Sequence, residues 1–331
     1  MARSVLPPAP DDYSILLVDP PEHRRLRRCA ARAFTRERLR SLNETIARNA
    51  AALIERAAGR RTIDWIAEVA EPLAMRVMLA MMSLPENERH RWQVWSQKRA
   101  RLLEMIATRR ERQLAHVAGS EIRRYFTALL RQRAQSEEDD AVSTLARLAA
   151  AGDEISLPEA SDMLSVLMIA GNETTTHLIG NGMLALVRNP KQMQCLREEP
   201  ERVRAAVEEM LRFDSPVQTD FRIAKADVLL RGRTIKTGDG VVLLAGSANR
   251  DGAAFENPDT FDITRAGPRH ASFGHGGHQC IGAELARMEA CTIFTEALRT
   301  LGTIQLAVSA PRYRTSTVIR GLAALPLTVA A

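Results

Sequence analysis

Aromatic residues make up only 4% of this 331-residue chain, and cysteine occurs four times, at Cys29, Cys195, Cys280 and Cys291. Cysteines so scattered do not form the framework of a disulfide-stapled secreted domain, and a reducing cytoplasm is the expected compartment. No apolar run reaches the ~18 residues of a membrane helix, and the first ten residues lack the apolar centre of a secretory signal, so no membrane anchor is expected. The formal charge is +6, with arginine dominating lysine. Without zinc-finger spacing or an RNA-binding aromatic signature, that charge points to a protein partner and not to nucleic acid. Hydrophobic residues at 45% are sufficient for a substantial core, in one large domain or two ordinary ones.

Against this background Phe273-Gly274-His275-Gly276-Gly277-His278-Gln279-Cys280-Ile281-Gly282 stands out. Its glycines permit positive φ and close approach of a flat group. Leu285, Met288, Ile293, Phe294, Ala297 and Leu298 follow at helical spacing, which places Cys280 near a helix N-terminus, where a thiolate is favoured. Three uses stay open from the loop alone: a buried core thiol, a zinc ligand with His275 and His278, or a heme thiolate.

A second unusual stretch is Ala170-Gly171-Asn172-Glu173-Thr174-Thr175-Thr176, inside an otherwise apolar helix over Met163 to Ile179. Glycine in a helix interior costs about 1 kcal/mol against alanine, and threonines lower propensity further. Back-bonding of the hydroxyls would bend the helix without function. Asn172-Glu173-Thr174 and Asn43-Glu44-Thr45 fit the glycan sequon but are read as accidental. The functional reading is that Gly171 leaves space for a diatomic ligand while Glu173 and Thr174 deliver protons.

Elsewhere, Asp19 is expected to cap a helix bearing His23 and Arg27 on one face, and Arg24, Arg25, Arg28 and Arg32 are expected to form a solvated basic face. Helices are expected over 37–60 and 63–82. Two or three more fill 87–135, with a loop near Gly119, and another begins near Glu159. Glu209 and Arg212 are placed for an ion pair on a helix over Val203 to Phe213. Segments 226–230, 233–235 and 241–244 read as one small antiparallel sheet, and 304–308 and 323–329 as further strands.

The cysteine loop resembles the F-x-x-G-x-x-x-C-x-G signature of the heme-thiolate monooxygenases, the cytochrome P-450 superfamily, with Phe273, Gly276, Cys280 and Gly282 in register. Asp19-Pro20-Pro21-Glu22-His23 resembles a segment of bacterial members. Ala170, Gly171, Glu173, Thr174 and Thr175 are similar to the family's A-G-x-[DE]-T-T motif, and the surroundings of Glu209 and Arg212 resemble its K-helix. The resemblance implies a mainly α fold with small antiparallel β-sheets, as one heme-binding domain over 19–331 after an irregular segment 1–18. It implies heme b with Cys280 as the axial ligand, and His23, Arg27, Arg222 and His278 on the propionates. Ala170, Gly171, Phe273, Gly274 and Gly282 would line the cofactor, and Glu173 and Thr174 would be catalytic. It further implies O2, a small organic substrate, and a ferredoxin or flavodoxin-type electron donor with its reductase, docked on the arginine-rich side near Cys280. Where the family often has arginine before Phe261, this chain has Thr260, and Arg265 is the candidate third partner of Glu209 and Arg212.

Only 18 residues precede Asp19, where bacterial relatives carry strands of the larger sheet, a first helix and the loop that roofs the pocket. The expectation is a cytochrome P-450 fold lacking its usual N-terminal segment, with an unpaired sheet edge and a pocket open on one side. A second function therefore stays open, that of an inactive partner protein stabilising another enzyme such as a glycosyltransferase. A heme sensor would not need the acid and the alcohol.

Overall fold

A computed structural model describes residues 14–330 of the chain, apart from 105 and 268. Residues 1–13 of the segment expected to be irregular therefore lie outside the described residues. The first helices are α1 (Glu22–Ala33) and α2 (Arg36–Ala58), then strand β1 (Thr62–Asp64), a π-helical turn over Ile66–Ala70 and α3 (Glu71–Met81). α4 (Arg89–Ala100), α5 (Arg109–Gln132) and α6 (Ala141–Ala151) lead to the long α7 (Leu157–Arg188), followed by α8 (Pro190–Glu198) and α9 (Val203–Phe213). Strands β2 (Asp220–Ile223), β3 (Val228–Leu230), β4 (Arg233–Ile235) and β5 (Gly240–Leu243) precede the short α10 (Ala245–Ala248). After the cysteine loop come α11 (Ala283–Thr300), β6 (Thr303–Leu306) and β7 (Pro326–Ala330).

α7 is the axis of the molecule. It packs against α3, α4, α5, α6, α9 and α11, and most of its residues are buried on every side. A helix surrounded in this way draws its stability from packing and not from propensity. That is why it runs unbroken through Gly171 and the three threonines. Its start is set by a capping box in which Ser156 and Glu159 exchange bonds with each other's backbone, two residues earlier than the sequence suggests.

Several expectations are corrected. α1 begins at Glu22 and not at Asp19, with no side-chain cap; the Asp19 carboxylate is taken by Lys225 at 2.6 Å. The stretch 63–82 is not all helix, because Thr62–Asp64 pairs with β7. Gly119 lies inside α5 and not in a loop. The Arg99 side chain of α4 lies over it, with Nε 3.0 Å from where a Cβ would stand. The break falls before Thr108, whose capping box with Glu111 starts α5. The single small sheet becomes two ribbons, β2–β5 and β3–β4, beside a three-stranded sheet ordered β1-β7-β6. Among the described residues β2–β5 has no third strand, and Ile223, Leu229, Val242, Leu243 and Leu244 are exposed near it.

Arg25 departs from a solvated face, while Arg32 is exposed as expected but ion-paired. Arg25 bonds to Glu159 and to the Glu154 carbonyl, and Arg32 pairs with Glu154 at 2.8 Å. They tie α1 to the start of α7 while Arg24 and Arg28 stay exposed.

Candidate active site

The cysteine loop is shaped by its own backbone. Gly274 and Gly276 have φ of 68° and 75°, the left-handed region where a side chain is strained. The Cys280 amide donates to the Phe273 carbonyl at 2.8 Å, and the Gln279 amide to Gly276 at 3.1 Å. Arg27 crosses from α1 and donates to the Gln279 carbonyl at 2.6 Å. The loop thereby presents Cys280 with an exposed side, two residues before the Gly282 N-cap of α11.

The Cys280 thiol is nonetheless pushed above its ordinary value, because desolvation by the surrounding protein outweighs the Gly282 amide and the nearby Arg27 and Arg287 that favour the thiolate. The helix-terminus argument alone suggests the opposite direction. A coordinating metal deprotonates a thiol outright, so the donors that favour the anion remain useful. Among the described residues no group of three His, Cys, Asp or Glu side chains is placed to hold a metal ion. The zinc set of His275, His278 and Cys280 is not assembled. His278 instead lies against His23, with ring centroids 3.9 Å apart.

That pair belongs to a basic cluster. His23 is buried, and its Nε2 has no hydrogen-bond partner among the described residues. Burial, then His278 and Arg27, hold the His23 imidazole below its ordinary value. Burial, then Arg222, lower His278. Arg222 is exposed on β2 and pairs with Asp220 at 2.8 Å. Two residues of α1, one of β2 and one of the cysteine loop thus gather basic groups in one place, and the two imidazoles are held down by burial first and by their cationic neighbours second. An added anion would relieve that repulsion and satisfy a buried orphan donor that costs about 1–3 kcal/mol unpaired. The cluster fits the carboxylates of a heme, and the adjacent exposed thiol fits its axial ligand.

The frame behind the loop is a buried ion-pair network. Arg212 binds Glu209 through two bonds, at 2.7 and 2.8 Å, with both side chains buried. Arg265 approaches Glu209 at 3.2 Å and, like Arg212, donates to the Thr260 carbonyl. It fills the third place left by Thr260. Arg212 also donates to the carbonyls of Asn249 and Pro258. Asn249, buried and not singled out from the sequence, donates to Ser272 Oγ at 2.8 Å and accepts from the Ala271 amide at 2.7 Å. The network is therefore wired to the residues just before Phe273, whose ring lies under the Arg287 guanidinium.

On α7, Ala170 is exposed in the middle of a buried helix, while Gly171 and Thr174 are half-buried. A Cβ at Gly171 would lie 2.3 Å from the Met78 sulfur, so any side chain there would displace the buried Met78 of α3. Thr174 Oγ1 donates to the Ala170 carbonyl at 2.7 Å, the local back-bond. Asn172 is fully buried and donates to Ser96 Oγ at 3.2 Å, which excludes a glycan on it. Glu173 is buried, and desolvation pushes its carboxyl up to about 6 against the pull of Arg314. Its Oε1 has no partner among the described residues.

Comparison with known proteins agrees with this arrangement. The sequence model of the Cytochrome P450 family matches residues 4–304. A biotin biosynthesis cytochrome P450 of Bacillus subtilis is 36% identical over 314 residues, covering 95% of this chain and 79% of that protein. A vitamin D(3) 25-hydroxylase of Pseudonocardia autotrophica is 36% identical, covering 99% of this chain and 80% of that protein. Among solved structures, P450BioI in complex with an acyl carrier protein ligated to hexadec-9Z-enoic acid superposes with a TM-score of 0.93 at 35% identity, covering 99% of this chain and 87% of that one. Among the described residues no helix is long and apolar enough to cross a membrane. A family match over most of the chain, with relatives at 36% identity and a solved structure at a TM-score of 0.93, shows that the chain belongs to the cytochrome P450 family and is a cytochrome P450 monooxygenase.

Proposed function

We propose that the chain inserts one oxygen atom of O2 into a small organic substrate, by hydroxylation or epoxidation, with Cys280 as the axial thiolate of a heme b. The observation that carries this reading is the exposed Cys280 thiol beside a basic cluster containing the orphaned Nε2 of His23. Heme bound there supplies the redox chemistry that activates O2, promoted by thiolate donation. His23, Arg27, Arg222 and His278 would hold its carboxylates. The Gly282 amide and Arg27 favour the sulfur anion.

Thr174 and Glu173 manage the protons. The Thr174 hydroxyl, now bonded to Ala170, turns to donate toward the exposed side of α7. Glu173, its carboxyl pushed up to about 6, takes up and releases a proton close to neutral pH through its unpartnered Oε1. Electrons come one at a time from a small acidic ferredoxin or flavodoxin that meets Arg24 and Arg28 on α1, the helix whose Arg27 touches the cysteine loop.

The deciding experiment is the spectrum of the reduced protein with carbon monoxide. A thiolate-type Soret band is expected, whereas failure to take up heme overturns the reading in favour of a partner protein. Thr174→Ala is expected to release peroxide and to separate nicotinamide consumption from product; full coupling in that variant would remove the assigned role. Donor affinity that does not change with salt would exclude the arginine docking face.

A further inference from the structure

Arg314 and Glu71 have no part in the chemistry described so far, yet Arg314 reaches the acid on α7 and Glu71 holds Arg314. Arg314 lies between β6 and β7, held by its amide to the Gly321 carbonyl at 2.8 Å. Its Nη2 donates to Glu71 Oε1 at 2.7 Å, and its Nη1 lies 3.4 Å from Glu173 Oε2. Gln97 of α4 donates to the same Glu71 oxygen at 3.2 Å. Side-chain exposure falls from 30% at Arg314 through 17% at Glu71 to 7% at Glu173. Arg314, the most exposed of the three, bridges the two carboxylates, and Glu173 is the most deeply buried.

His177, one turn along α7, lies 3.7 Å from the same Glu173 oxygen. Burial holds its imidazole down to about 3, so it is neutral and supplies no counter-charge. Its ring lies against Gly321, where a Cβ would stand 1.9 Å from Nδ1. Among the described residues the groups acting on Glu173 are therefore one cation, Arg314, one second carboxylate, Glu71, and a neutral ring. The guanidinium keeps its closer bond to Glu71, so its longer contact with Glu173 can open without leaving the cation unpaired.

We propose that Arg314 is a positioning residue for the proton-delivering acid, clamped by Glu71, and that Glu71 and Arg314 form the solvent-side end of the path whose inner end is Glu173. Arg314 fixes Oε2 so that Oε1 is the oxygen that takes and gives the proton. Glu71 exchanges protons with solvent and passes them to Glu173 through water, while the arginine stays charged throughout. The inference rests on the acid and alcohol roles assigned above to Glu173 and Thr174.

The test is an infrared pH titration of the Glu173 carboxyl in the full chain, identified as the band lost in Glu173→Gln. Arg314→Gln is expected to move the midpoint upward by about one pH unit or more, since an opposite charge within ~4–6 Å lowers a carboxyl by about 1–3 pH units. Arg314→Lys is expected to restore most of that change, and Glu71→Gln to move the midpoint downward by removing a like charge. An unchanged midpoint in Arg314→Gln overturns the proposal even if Glu173→Gln is uncoupled. A displaced midpoint with full coupling in Glu173→Gln overturns the acid role instead. If Arg314→Gln does not fold, Glu71→Gln decides alone, and an upward or absent movement in it counts against the clamp.

Discussion

The Cys280 loop and the Glu173 cluster are held by different means. The loop takes its shape from left-handed glycines and from amide bonds spanning a few residues, such as Cys280 to Phe273. The cluster is assembled from α3, α7 and the segment before β7, with Arg314 separated by 141 residues from Glu173 and by 243 from Glu71. One is a local backbone device and the other a tertiary one. Ligand position is thus set by chain geometry that few substitutions can adjust, whereas proton supply is set by side chains that can be retuned one at a time.

The largest test of that contrast removes the loop's chemistry without touching its shape. Cys280→Ser should abolish the thiolate-type carbon monoxide spectrum and oxygenation entirely, while denaturant unfolding of the heme-free protein moves by no more than about 0.5 kcal/mol, because the side chain is exposed. A large stability loss would mean that the thiol is a core filler after all. Next in size, Arg212→Ala should cost about 3–5 kcal/mol by stranding Glu209 in the interior. Urea unfolding measures it, and the neighbouring loop should lose heme affinity at the same time. A stable variant with weakened heme binding would show that the frame orients the loop without supporting the core.

Smaller effects probe the acid side. The Glu173 carboxyl titrates near about 6 when folded and at 4.5 as a free group. Between those values the native state keeps a proton that the unfolded chain has released, so this group makes the protein less stable as pH rises through the window. Glu173→Gln should therefore gain about 2 kcal/mol relative to the native chain on going from pH 4 to pH 7.5, since each pH unit between the two titration points is worth about 1.36 kcal/mol. Equal differences at both pH values would show that Arg314 compensates the charge fully. Gly171→Ala should cost about 1–3 kcal/mol through its collision with Met78, and Met78→Ala in the same chain should show strong non-additivity in thermal unfolding. The smallest effect is Lys225→Ala, under about 1 kcal/mol, since the Lys225–Asp19 pair is exposed.

The helices with strong periodicity and clear breaks, Val203 to Phe213 above all, are legible to the residue because an amphipathic pattern and a following Ser-Pro mark both ends. Gly119 misleads because a helical glycine under a neighbouring helix's side chain has the same sequence signature as a loop. β1 is hidden because three residues are too few to show alternation, and their pairing partner Pro326–Thr328 lies at the other end of the chain. Arg265 is legible as the cation that remains near Thr260. Nothing in the sequence around Arg314 marks it, since one arginine among many carries no signal until folding places it between two carboxylates.

The sequence by itself determined the cysteine, its glycine loop, the acid and alcohol pair and the Glu209–Arg212 spacing, because each depends on residues within one element, where covalent connection fixes the distance. Tertiary structure alone decided that Gly171 packs against Met78 and that the Cys280 thiol is pushed up. It alone decided that Glu173 is governed by Arg314 and Glu71. Each of those depends on desolvation and on charges brought from distant elements, quantities that exist only once the chain has packed.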